Sequence, residues 1–156
     1  MHFINVRNIQ IFENFFELYG ESVNSFLTEP ESSEIWVFDS NHPTSGFILH
    51  SSDYFACNPS LIFKNIAINE ANCDETNLIE GERYAMIAHE IGHLFDARIY
   101  EQEEWLQKEI SADRMAVTIG LSSQLITGLE KINMNIESDY LNEQIRQRIE
   151  ELRAIL

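Results

Sequence analysis

The spacing of apolar residues changes twice along this chain, and those changes constrain the fold more than any other feature. Ile9, Phe12, Phe16, Tyr19, Val23 and Leu27 recur every three or four residues, which places them on one face of a helix. Gly20 weakens that helix, and Thr28-Glu29-Pro30 is expected to stop it, because the residue before a proline is driven out of helical conformation. From 34 to 69 the spacing gives way to short β-branched and aromatic runs: Ile35-Trp36-Val37-Phe38, Gly46-Phe47-Ile48-Leu49 and Leu61 to Ile68. These predict three strands, with loops at 39–45 and 51–60. Helical spacing returns near residue 77 and predicts helices over 77–99, 103–119 and 138–155, with a short helix and a connection within 121–136. Ser138 is the expected N-cap of the last helix, and Leu141, Ile145, Ile149, Leu152 and Leu156 are its expected buried stripe. The order predicts an α+β domain in which a small three-stranded sheet packs on helices.

Composition narrows the class of protein. A chain of 156 residues with 44% hydrophobic and 11% aromatic side chains has the apolar content to build a core, and its length suits one domain over 1–156. Twenty-six acidic residues against 10 basic ones leave a net charge of −16. Such a surface repels phosphate backbones and anionic lipid heads, so neither nucleic acid nor a membrane is expected as a partner. Cys57 and Cys73, the two cysteines, are too few for a disulfide framework. The first residues lack a basic segment followed by a long apolar run, and no stretch approaches the roughly 18 apolar residues of a membrane span. The expected location is the cytoplasm.

The chemistry is concentrated at His89-Glu90-Ile91-Gly92-His93. On a helix, positions four apart share a face, so His89 and His93 can bind one zinc ion at about 2.0–2.1 Å. Glu90 is turned about 100° from His89 around the axis, a place for a general base that is not a ligand. Ala85, Ile87, Ala88, Ile91, Leu94 and Phe95 surround the motif, and polar groups in such a setting are costly unless something satisfies them. The following helix carries the apolar stripe Leu106, Ile110, Ala116, Val117 and Gly120, which Glu109 and Asp113 interrupt. Acids in an inward stripe call for a partner or a metal. If the two helices run antiparallel about a turn near Glu101, His93 lies level with Glu109 and His89 with Asp113, about 12 Å and 18 Å from the turn. Glu109 is therefore the expected third zinc ligand, and Asp113 the acceptor that fixes the outer nitrogen of His89. Gly92 costs a helix about 1 kcal/mol relative to alanine, which suits a close approach by the second helix.

This pattern, HExxH followed by Glu109-Ile110-Ser111-Ala112-Asp113-Arg114, resembles the gluzincin metallopeptidases, whose signature is HExxH with a downstream ExxxD. Ala112 to Val117 is similar to the glutamate helix of HtpX-type peptidases, and the small size looks more like the soluble minigluzincins or the ImmA/IrrE peptidases. The resemblance covers residues 84–118. It implies a zincin-like fold, with the small sheet against a zinc-binding helix, a glutamate helix and flanking helices. It also implies one Zn²⁺ per chain and hydrolysis of peptide bonds in protein or peptide substrates, with Glu90 activating the water. A strand around Ile62 to Ile68 would then border the cleft and pair with extended substrate. Two features depart from the family. The gap from His93 to Glu109 is short, and no transition-state His or Tyr is matched. Two alternatives stay open: a regulatory protease that cuts one specific repressor or partner, to which the acidic surface suits a basic client, and a catalytically inert zinc-containing interaction module.

The remaining candidates have plainer expectations. His42 and His50 read as surface or hydrogen-bonded histidines, and Tyr84, Tyr100 and Tyr140 as core tyrosines or oxyanion donors. Arg114 reads as an ion-pair partner for Asp113, Cys57 and Cys73 as buried thiols, and the acidic run from Glu101 to Glu104 as a solvated turn rather than a calcium loop.

Overall fold

The computed structural model describes residues 2–27, 34–58, 64–95 and 104–155. Among the described residues it is an α+β structure with six α-helices and a four-stranded mixed sheet. The chain divides into two compact units, residues 1–73 and 74–156.

The first unit contains β1 (His2–Asn5), α1 (Gln10–Phe26), β2 (Glu34–Asp39), a 3-10 helix (Pro43–Phe47), β3 (Phe55–Asn58) and β4 (Lys64–Ile68). The strand order is β1-β2-β4-β3; β1 and β4 run parallel to β2, and β3 runs antiparallel to β4. Phe3 pairs with Ile35, so its side chain shares a sheet face with Ile35 and Val37. Phe16 stacks on Phe3 at 4.0 Å between ring centroids, which seats the apolar stripe of α1 on that face. Ile35, Val37, Ile66 and Ile68 are wholly buried. On the other face Phe38, Ile48 and Ala67 form a cluster with Trp36, Leu49 and Ala56. Asn5 joins β1 to α1: its amide donates to the Ile9 carbonyl and its oxygen accepts from the Ile9 N–H, both at 2.8 Å.

Three expectations for this unit need correction. The sheet has four strands rather than three, because β1 has no counterpart among the expected strands; four residues with only Phe3 and Ile4 apolar leave too short a pattern to read. Gly46 to Leu49 is not a strand. His42 caps a 3-10 turn by accepting the Thr44 N–H on Nδ1 at 3.1 Å, and Pro43 begins it, since its fixed φ suits a first helical position. The Ser45 hydroxyl ties the turn to the Ser40 and His42 carbonyls. In its place β3 pairs with β4 from inside the expected loop at 51–60. The expected stop at Pro30 and the Leu61 to Phe63 part of the third strand lie outside the described residues.

A short helix α2 (Glu70–Glu75), also absent from the sequence pattern, spans the division between the units. The second unit is helical: α3 (Glu80–Phe95), α4 (Trp105–Thr118), α5 (Ser122–Asn135) and α6 (Asp139–Ile155). Glu82 begins α3 by accepting the Ile79 N–H at 2.9 Å, and it pairs with Lys131 of α5 at 2.7 Å. Burial opposes its charge, but Lys131 and the Ile79 N–H outweigh that and lower its pKa. Gly120, at φ +85°, ends α4. The Gly120 N–H reaches the Val117 carbonyl and the Leu121 N–H reaches Ala116, a left-handed cap that glycine makes without strain. The chain then turns directly into α5, so the stretch 121–136 holds one full helix, Ser122–Asn135, rather than a short one with a connection. Ser138 caps α6 through its hydroxyl, which accepts the Leu141 N–H at 3.4 Å. Ile145, Ile149 and Leu152 are buried, whereas Leu141 is 40% exposed. The stretch beyond Phe95 and the turn near Glu101 lie outside the described residues. Among the described residues no helix is long and apolar enough to cross a membrane.

Candidate metal centre

Helix α3 presents His89 and His93 on one face, and α4 presents Glu109 and Asp113 on another. The two helices meet tightly at Gly92. A Cβ built there would lie 2.5 Å from the Ala112 carbonyl oxygen and 3.0 Å from its Cα, and both are backbone atoms with no rotamer to change. The glycine is therefore a requirement of the contact. His93 reaches Glu109 and His89 reaches Asp113, the level pairs of an antiparallel arrangement.

Three ligand atoms converge. His89 Nε2 lies 3.1 Å from His93 Nε2 and 2.8 Å from Glu109 Oε2, and His93 Nε2 lies 2.7 Å from the same oxygen. The two imidazole rings stand edge to face. Among the described residues this is the one group of three or more such side chains placed to hold a metal ion. Its donor set fits zinc. Tetrahedral bonds of about 2.0–2.1 Å put ligand atoms roughly 3.3–3.4 Å apart, so the triangle needs to open by only about half an ångström. Two nitrogens and one carboxylate form the donor set of a site that keeps a further coordination position.

Asp113 sits behind the cluster. Its Oδ1 lies 2.6 Å from His89 Nδ1, and an ionised carboxylate only accepts, so Nδ1 carries the proton and Nε2 faces the other ligands. Arg148 of α6 grips the same carboxylate with both oxygens engaged: Nε donates to Oδ2 at 3.0 Å and Nη2 to Oδ1 at 2.7 Å. Nη2 also lies 3.3 Å from His89 Nδ1. His89, Asp113 and Arg148 are all buried.

The charges set one another. Burial disfavours the charged form of His89, but the carboxylates of Glu109 and Asp113 outweigh it and raise the pKa to about 10. Burial likewise opposes ionisation of Glu109, yet the charge and hydrogen bond of His89 and the bond from His93 hold its carboxyl well below the usual range. Asp113 is lowered against the same burial penalty, first by Arg148 and then by His89. Arg148 is raised above its ordinary value, because Asp113, with further help from Glu109 and Glu90, exceeds the cost of burial. Two cations and two anions thus balance in the metal-free form.

Glu90 is half-buried on α3 and takes no part in the hydrogen bonds of this cluster. Arg114 is not the partner of Asp113; it points to solvent, and Arg148 fills that role. A signal for Arg148 existed. It interrupts the stripe Ile145, Ile149 and Leu152 as Glu109 and Asp113 interrupt theirs, and an inward arginine calls for an acid in the same way. Other candidates have local roles. His42 stacks on Phe38 as well as capping, and His50 and Tyr140 are exposed. Tyr84 hydrogen-bonds Glu80 within α3. Cys73 is a buried thiol, whereas Cys57 is only half-buried. Tyr100 and Glu101 to Glu103 lie outside the described residues. No family model matches the chain, and comparison with curated proteins and with solved structures gives no match.

Proposed function

We propose that the chain is a zinc-dependent endopeptidase of the gluzincin type, with a zincin-like fold. One Zn²⁺ per chain would be held by His89, His93 and Glu109. The reading rests on one observation: two imidazole Nε2 atoms and a carboxylate oxygen from separate helices meet within 3.1 Å of one another, beside a glutamate outside the ligand set. When bound, zinc supplies a Lewis acid for both a water nucleophile and the scissile carbonyl. The chain does the rest. Asp113 keeps the proton of His89 on Nδ1 and so keeps Nε2 available. Glu90, one residue from a ligand, takes the proton of the attacking water and returns it to the leaving amine. A structural metal site has no use for that glutamate, which favours catalysis over an inert module.

The test is metal content and cleavage on wild type and Glu90→Gln. Wild type should carry close to one zinc per chain and cut protein substrates. Glu90→Gln should keep the zinc and lose at least about 100-fold in rate, the usual scale of a positioned base. Loss of zinc from Glu90→Gln as complete as from His93→Ala would show that Glu90 is a ligand. The net charge of −16 favours a basic client over a neutral one; cleavage of a single basic partner but not casein would mark a regulatory protease.

A further inference from the structure

We propose that Arg148 is a positioning residue of the metal centre, acting through Asp113 to aim the His89 ring, so that α6 is a working part of the site. The proposal rests on the metal-binding reading above. Arg148 touches none of the three converging ligand atoms among its hydrogen bonds; its acceptors are both oxygens of Asp113, and its Nη2 only passes the protonated outer nitrogen of His89 at 3.3 Å. Asp113 Oδ1 is shared, taking His89 Nδ1–H at 2.6 Å and Arg148 Nη2 at 2.7 Å. Held by His89 alone, that carboxylate could turn about its Cβ–Cγ bond and carry the imidazole with it. Two parallel bonds from a planar guanidinium remove that freedom. They also supply the charge that lets a buried aspartate stay ionised. A point charge could do the second task but not the first. Three helices therefore set the direction of one nitrogen: α3 carries the ring, α4 its acceptor, and α6 the fork that locks the acceptor.

The experiment measures Zn²⁺ affinity by chelator competition, and the visible d–d spectrum after Co²⁺ substitution. It uses the full chain as wild type, Arg148→Met, Arg148→Lys, Asp113→Asn and the Arg148→Met/Asp113→Asn double variant. Arg148→Met should bind zinc about 10–100-fold more weakly, the usual effect of losing a group behind a ligand, and should alter the Co²⁺ band shape. Arg148→Lys should recover only part of the affinity. In the Asp113→Asn background Arg148→Met should add almost nothing, because residues acting in series are not additive. Unchanged affinity and an unchanged Co²⁺ spectrum in Arg148→Met would overturn the proposal, and so would fully additive losses in the double variant. If Arg148→Met does not fold, Arg148→Lys decides: affinity and spectrum equal to wild type would show that charge suffices without the fork. A wild type that binds no zinc would remove the metal-binding reading along with this one, whereas a zinc-binding wild type matched by its Arg148 variants would remove this one alone.

Discussion

If His89 is the metal ligand proposed above, a proton and the metal ion compete for the same nitrogen. Between Glu109 and Asp113 the imidazole is raised to about 10, so the metal-free ring is protonated throughout the neutral range. Zinc needs the Nε2 lone pair and must expel that proton. At pH 8 binding should therefore release close to one proton from His89, whereas a ring at the ordinary 6.5 would already have lost it. Calorimetric titrations in buffers of different ionisation enthalpy count the protons; a zinc-bound water of pKa about 7 adds nearly one more at pH 8, so the total should approach two, and a total of one or fewer would contradict the assignment. The affinity should also climb with pH until His89 itself titrates. The stability of the metal-free protein follows with opposite signs for its two kinds of group. His89, raised, contributes fully below the 6.5 of an unfolded histidine and loses that contribution as the pH rises through about 10. Glu109 and Asp113, both lowered, contribute above the ordinary carboxylate values and lose it on acidification. The metal-free form should thus be weakened at both ends of the pH scale.

Helices α3 and α4 can hold four polar groups in register only because their backbones touch at Gly92. Helix propensity alone makes Gly92→Ala stabilising by about 1 kcal/mol. The contact reverses the sign, since the added methyl meets the Ala112 carbonyl oxygen at 2.5 Å and the helices must move apart. Overpacking of this kind costs about 1–3 kcal/mol. Denaturant unfolding of metal-free Gly92→Ala should show a net loss, and zinc should bind it more weakly as Glu109 is carried away from the histidines; a variant as stable as wild type would mean that the helices have room. This contact is legible in the sequence, as are the level pairs of histidine and acid, because side-chain spacing on a helix maps directly onto space. Strands β1 and β3 are not legible. Each is only four residues long, too short for an alternating pattern to stand out, and β1 also draws its stability from β2, a neighbour distant in sequence that local pattern does not encode. The stretch at 43–49 misleads for a related reason: Phe47, Ile48 and Leu49 look like a strand, but the His42 cap and Pro43 commit the chain to a turn first. Arg148 escapes notice because the stripe of α6 reads well without it, and its partner lies 35 residues away.

At the scale of the whole molecule, the groups that define the centre are unevenly placed. His89, His93, Glu109, Asp113 and Arg148 all belong to the helical unit, residues 74–156, while the sheet belongs to residues 1–73. A ligand stabilises whatever must be folded to bind it, by about 2.7 kcal/mol when its free concentration is 100 times its Kd. That energy corresponds to roughly 100-fold slower exchange of amides that open with the unit. Hydrogen exchange of zinc-loaded against chelator-treated protein should therefore show slowing across α3, α4 and α6. The same experiment asks how far cooperativity extends. If each compact unit opens by itself, amides of β2 and β4 should exchange at the same rate with and without metal, because the sheet strands carry none of the groups named above. Equal slowing in sheet and helices would instead mean that the 156 residues open as one block, as the length of the chain suggests. Exchange unchanged in α3 and α4 at saturating zinc would leave the converging histidines and glutamate without the ion that their geometry fits.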